Sequence, residues 1–225
     1  MSCNRETLKK IYQMYSDKQI GENDFCIKCK EIASKKNHKL TNGPVPIYHV
    51  GNKFEESPKR LLFIGYVAYG WRDIMDLGGN VCENIEKRVE DLFFHKQGIG
   101  KEKDGRFWSY MREAVKELFG DSREGYRRIA ISNFVRCNNG NIRDNILQKT
   151  ADYCCSKQYN GFIHKEIEIL QPTHLVILGN NNKYIRHLNK TFEKFKIKIL
   201  NHPSASVKGN SKRHFVNQVI NFYNS

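Results

Sequence analysis

The chain has 225 residues, 39% of them hydrophobic, which suits one domain with a sizeable core. Lysine and arginine number 38 against 24 aspartates and glutamates, a formal charge of +14 that favours an anionic partner, most simply nucleic acid. No apolar stretch approaches the length of a membrane span, and Met1 to Glu6 has no signal-peptide core, so the expected setting is the cytosol, or the nucleus in a eukaryote. There the seven cysteines are expected to be reduced: free thiols, metal ligands or cluster ligands, not a disulfide frame.

Arg5 to Met14 reads as a first helix, with Leu8, Ile11, Tyr12 and Tyr15 at helical spacing. Phe25 to Ala33 is short and holds the Cys26-Ile27-Lys28-Cys29 motif. Thr41 to Pro58 carries three of the five prolines and reads as an extended linker. Arg60 to Gly65 is a continuous apolar run ended by glycine, the pattern of a buried parallel strand. Gly78-Gly79-Asn80 precedes a helix to about His95, with Val81, Ile85, Val89, Leu92 and Phe93 on one face. A charged, glycine-punctuated loop over Gly98 to Gly105 leads to a helix over Phe107 to Phe119.

Arg128 to Phe134 is the second core strand, followed by a turn at Asn138 to Asn141. Asp144 to about Leu170 reads as helix broken near Asn160-Gly161. Thr173 to Leu178 is the third strand, ended by Gly179. Asn180 to about Leu188 is a helix that Asn180, Asn181 and Asn182 can cap. Lys196 to Leu200 is the fourth strand and Ser211 to Tyr223 the last helix. This alternation predicts a three-layer α/β/α fold with a central four-stranded, mainly parallel sheet. Residues 1–58 form an N-terminal helical cap and linker, and 59–225 the α/β domain, together one compact unit.

Three strand ends carry unusual residues. Asn201-His202-Pro203-Ser204 closes the fourth strand, and Pro203 has no N–H to continue the pairing. His202 is thereby expected at the carboxyl edge of the sheet, where open α/β sheets bind ligands. Gly65 and Asn133 end the first and second strands on that same edge.

The ordered set Phe63-Ile64-Gly65, Arg106-Phe107-Trp108, Ser132-Asn133-Phe134-Val135-Arg136-Cys137, Val176-Ile177-Leu178-Gly179 and Asn201-His202-Pro203-Ser204 resembles the uracil-DNA glycosylase superfamily. It is most similar to the iron–sulfur branch first known from thermophiles. The likeness spans roughly Phe25 to Phe215 and is poorest in the first motif. It implies a DNA glycosylase that flips out uracil or a related deaminated base and cleaves the N-glycosidic bond, leaving an abasic site.

The resemblance gives His202 the donor role at the departing base, where negative charge develops. It gives Asn133 the reading of the base edge, for which an amide offers both a donor and an acceptor. Gly65, Tyr66, Tyr69 and Ser204 join the substrate site, with Tyr66, Tyr69 and Trp71 as stacking candidates. Phe107 and Trp108 resemble the Arg-Phe-Trp segment of the mismatch-specific glycosylases and are expected to pack a helix into the core. Asp73 falls where a family acid follows the loop and is the candidate to activate water. The loop Gly65 to Asp73 lacks the family's proline and first acid. Ala205 to Gly209 replaces the usual leucine wedge and arginine, leaving Lys208, Lys212 and Arg213 to hold phosphates.

Cys26, Cys29, Cys137 and Cys154 match the ligands of the family's 4Fe–4S cluster, with Cys155 an alternative for the last. Four thiolates also suit zinc, and iron–sulfur is favoured over it only through the resemblance. A DNA partner and a monomer complete the expectation. One rival is a superfamily member without catalysis that binds or scaffolds nucleic acid. Another is a doubly wound hydrolase or nucleotide-binding enzyme with Ser204 or Cys137 as nucleophile, disfavoured because the chain has neither a G-x-S-x-G elbow nor a Walker loop.

Overall fold

A computed structural model of the chain describes residues 6–19, 47–67, 81–94, 103–135, 161–179, 194–203, 205 and 209–225. In chain order the elements are α1 (Glu6–Gln19), β1 (His49–Val50), β2 (Leu61–Val67), α2 (Val81–Phe94), α3 (Lys103–Phe119), α4 (Ser122–Arg128), β3 (Ile129–Val135), α5 (Phe162–Leu170), β4 (His174–Leu178), β5 (Lys196–Leu200) and α6 (Lys212–Asn224). The strands form one sheet in the order β1-β3-β2-β4-β5. All neighbouring pairs are parallel except β1 with β3.

The four expected strands form the parallel part of this sheet, and their apolar residues alternate between its two faces. Leu62, Ile64, Ala130, Leu175 and Ile177 enter one core with Leu8, Ile11 and Tyr15 of α1 and with Phe162, Ile163 and Ile167 of α5. Leu61, Phe63, Ile129, Ile131, Val176 and Leu178 enter the other with residues of α2, α3 and α6. Both faces are covered, which is why these strands read as unbroken apolar runs. The fold is thus mixed α/β with helices on both sides of the sheet. No helix among the described residues is long and apolar enough to cross a membrane.

The structure corrects the expected sheet in three places. The sheet has five strands rather than four, because His49–Val50 adds an antiparallel edge within the stretch read as linker. Gly51 makes that edge possible: a Cβ there would lie 2.1 Å from the Arg127 carbonyl oxygen, while its N–H donates to Ile129 at 2.8 Å. β2 does not stop at Gly65 but runs on to Val67, which pairs with Val135. The β-favouring Tyr66 and Val67 continue the ladder. A short helix, α4, intervenes before β3; Asp121 caps it, accepting from the N–H groups of Arg123 and Glu124 at 2.8 and 2.9 Å.

The described part of the first 58 residues is built into the main core, since Leu8, Ile11, Tyr15, Ile47, Val50 and Phe54 share one buried cluster with the sheet. The expected segments over 25–33, 144–160 and 180–188 lie outside the described residues.

Strand order positions the site. β2 leads to β3 on one side, and β4 leads to β5 on the other. The connections diverge at the carboxyl ends of β2 and β4, where a crevice opens in folds of this kind.

Candidate active site

β5 ends at Leu200, and His202 stands two residues beyond it. The segment after it is tied back by one side chain. The Asn210 amide donates to the His202 carbonyl at 2.9 Å and to the Ala205 carbonyl at 3.0 Å. The Ala205 N–H donates to the same His202 carbonyl at 2.8 Å, and Gly209 turns the chain at φ 84°. The Tyr110 hydroxyl donates to the Asn210 carbonyl at 3.3 Å, pinning the loop to α3. These bonds fix the backbone at His202.

Its ring lies against Phe107 of α3, with centroids 5.4 Å apart and planes 18° from parallel. Burial holds the imidazole below the ordinary histidine pKa of 6.5. At neutral pH the ring is uncharged, with one N–H to donate. That is the form suited to stabilising charge that appears only during a reaction.

On β3, Asn133 is 7% exposed. It projects to the same sheet face as Ile129 and Ile131, the face covered by α2, α3 and α6. Its amide nitrogen donates to the Tyr48 hydroxyl at 3.0 Å. Its oxygen lies over Gly65, only 2.1 Å from where a Cβ would stand. Gly65 and Asn133 are directly paired across β2 and β3. Glycine is required here because the amide occupies the space any side chain would take.

On the opposite face Ser132 donates to Glu166 of α5 at 2.6 Å, and Tyr15 of α1 donates to the other carboxylate oxygen at 2.7 Å. Glu166 is fully buried. These bonds fix β3 from below at the residue next to Asn133.

Gly65 and Asn133 lie two residues inside the carboxyl ends of β2 and β3, and His202 lies two residues beyond that of β5. β3 and β5 are three strand spacings apart, roughly 14 Å between backbones. At the mouth, Lys212 and Arg213 are exposed in the first turn of α6, whose N-cap Ser211 accepts from the His214 N–H at 3.2 Å.

Asp73, Tyr69, Trp71, Ser204 and Lys208 lie outside the described residues, as do the expected cluster ligands Cys26, Cys29, Cys137 and Cys154 and the alternative Cys155. The Tyr66 backbone belongs to β2, not to a loop. The core assignment holds for Trp108, which is 9% exposed within the α3 core. Phe107, partly buried, also packs against that core, and its ring meets His202 as well. Tyr48 and Asn210 were not foreseen. Tyr48 sits in Ile47-Tyr48-His49-Val50, whose β-favouring residues signal a strand despite the nearby prolines. Asn210 carries no local signal, because its partners lie five and eight residues back.

No protein-family model and no curated protein matches the chain.

Proposed function

We propose that the protein is a DNA glycosylase that excises uracil or a related deaminated base. The single observation that carries the reading is the His202 ring stacked on Phe107 just beyond β5, near the carboxyl ends of the strands that hold Asn133 and Gly65. The His-Pro-Ser and Asn133 motifs supply the family resemblance.

In this reading the target nucleotide leaves the stack and its base enters between Asn133 and His202. Asn133 reads the base edge. As the C1′–N bond breaks, its electron pair moves onto the base. The His202 N–H stabilises the resulting charge on the base oxygen. Water adds to C1′ and gives up a proton, with Asp73 as the proposed acceptor. The products are the free base and an abasic sugar.

Charge placement supports a nucleic-acid partner. Lys212 and Arg213 stand at the N-terminal end of α6, where the helix dipole is positive and cations are unfavourable. No acidic residue lies in that turn. Two exposed cations beside the helix N-terminus suit a phosphate. A 4Fe–4S cluster held by Cys26, Cys29, Cys137 and Cys154 belongs to the same proposal. Iron and acid-labile sulfide in anaerobically purified protein test it.

The continuation of β2 through Val67 favours a second reading, a member that binds nucleic acid without catalysis. Anaerobically purified protein on labelled single- and double-stranded oligonucleotides carrying one uracil separates the two. Alkali-labile breaks at the uracil are expected. Tight, salt-sensitive binding with no breaks at uracil or other deaminated bases leaves the non-catalytic reading.

A further inference from the structure

We propose that β5 and α6 form a track for a nucleic-acid backbone, running from Lys196 and Lys198 on the strand to Lys212 and Arg213 on the helix, beside the strand-end crevice and not within it. The inference goes beyond the glycosylase reading and does not depend on excision, since its ligand is any phosphodiester strand. From Lys194 to Ser225 the chain has six lysines and arginines and no acidic side chain, while all 24 aspartates and glutamates precede that stretch. The fold gathers this stretch onto one side. Lys196 and Lys198 pair with His174 and Val176 of β4 and are exposed. Alternation with the buried Leu200 turns both toward the face that α6 covers. There Phe215, Val216 and Val219 of α6 share a core with Val176 and Leu200, and Phe222 and Tyr223 meet the His174 ring. The helix therefore runs against the strand direction. Its exposed Lys212 and Arg213 stand at the carboxyl end of the sheet, and its last turn comes down beside Lys196. Asn217 and Asn221 on its outer side are exposed and uncharged.

Elsewhere cations are matched to acids. Lys10 pairs with Glu6, Lys53 and Arg128 with Glu124, and Lys165 with Glu168. Among the described residues no ion pair involves β5 or α6. Lysines on an edge strand discourage strand pairing, which accounts for Lys196 and Lys198 alone. It does not account for a whole helix without acids, or for two cations in the first turn, where the helix dipole disfavours them. A polyanion accounts for all of these together. The two strand lysines are two residues apart, about 6.6 Å along the chain, an interval comparable to that of successive phosphates. Exposed amides between the cations suit phosphate and sugar oxygens. A membrane surface instead calls for apolar side chains among the cations, and Ile199 is the large apolar residue exposed here.

The test is binding of an undamaged oligonucleotide, single-stranded and as a duplex, across a range of salt concentrations. The full native chain is compared with Lys196→Gln/Lys198→Gln and with Lys9→Gln/Lys10→Gln, which removes the same charge from exposed positions on α1. In the β5 variant the slope of log K against log salt is expected to fall in magnitude by about 1.5, the loss of two phosphate contacts. The α1 variant should keep the native slope. Lys196→Arg/Lys198→Arg, which retains both charges, should keep it as well. An unchanged slope in the β5 glutamine variant overturns the inference, and so does an equal fall in the α1 variant, which reports net charge alone. A slope lost in the arginine variant too overturns it in favour of damage to the strand. Vesicles of phosphatidylcholine with phosphatidylserine are the last comparison: binding to them that falls in the β5 variant, with oligonucleotide binding intact, assigns the surface to a membrane and overturns the inference. Each of these outcomes leaves the excision reading to its own test.

Discussion

Phe107 and His202 lie face to face, their ring centroids 5.4 Å apart and their planes 18° from parallel. The contact joins α3 to the segment after β5, so it sets the plane of the imidazole as well as its burial. Removing it frees the ring proposed to aim one N–H at the departing base. Phe107→Ala is expected to lower kcat for excision by about tenfold, consistent with about 1 kcal/mol for a ring pair beyond its buried area. Phe107→Tyr, which keeps the ring, should retain most of the rate. Single-turnover kinetics on a uracil oligonucleotide reads both.

Gly65 tests the other side of the crevice. An added methyl would meet Asn133 Oδ1 at 2.1 Å and drive the amide off Tyr48. Gly65→Ala is expected to cost about 1–3 kcal/mol in urea unfolding, the usual range for overpacking a close contact. Excision should fall further than the stability loss explains, because the displaced group is the one proposed to read the base.

The strands were readable because burial on both faces gives unbroken apolar runs, as in Leu61-Leu62-Phe63-Ile64 and Leu175-Val176-Ile177-Leu178. The carboxyl ends of β4 and β5 were readable because Gly179 and Pro203 punctuate them, whereas Gly65 does not end β2, which runs on to Val67. β1 was hidden by its length of two residues and by prolines on both sides. The Tyr48–Asn133 bond joins residues 85 apart, and no local pattern announces a contact of that range. The contact of Phe107 with His202 was not legible either, because periodicity does not distinguish a residue at the centre of a helix's apolar stripe from one at its rim.

Stability should fall on mild acidification. Burial holds His202 below its ordinary pKa of 6.5 in the folded chain. His174 at the amino end of β4 is lowered chiefly by burial, then by the charges of Lys59 and Lys196. Its Nε2 is buried without a hydrogen-bond partner, beside Phe222 and Tyr223. The unfolded chain therefore binds these protons first. Stability is complete above about pH 6.5 and declines below it, until the folded histidines also protonate. Urea unfolding across that window checks the slope, and His174→Gln should flatten it.

The buried carboxylate of Glu166 makes a further prediction. Tyr15 and Ser132 donate to its two oxygens at 2.7 and 2.6 Å. Deleting either donor weakens a charge with little access to water. Tyr15→Phe and Ser132→Ala are each expected to lower unfolding free energy by about 1.5–3 kcal/mol, the range for bonds to charged groups. The double variant should depart from additivity, because both hydroxyls act on one carboxylate.

The most direct measurement of the central claim is base excision by the native chain and His202→Ala side by side, with melting curves for both. A uracil-dependent strand break that falls by about 10²–10³-fold in the variant, at an unchanged melting temperature, is the predicted result for losing a donor aimed at developing charge. Equal turnover by the two proteins would contradict it.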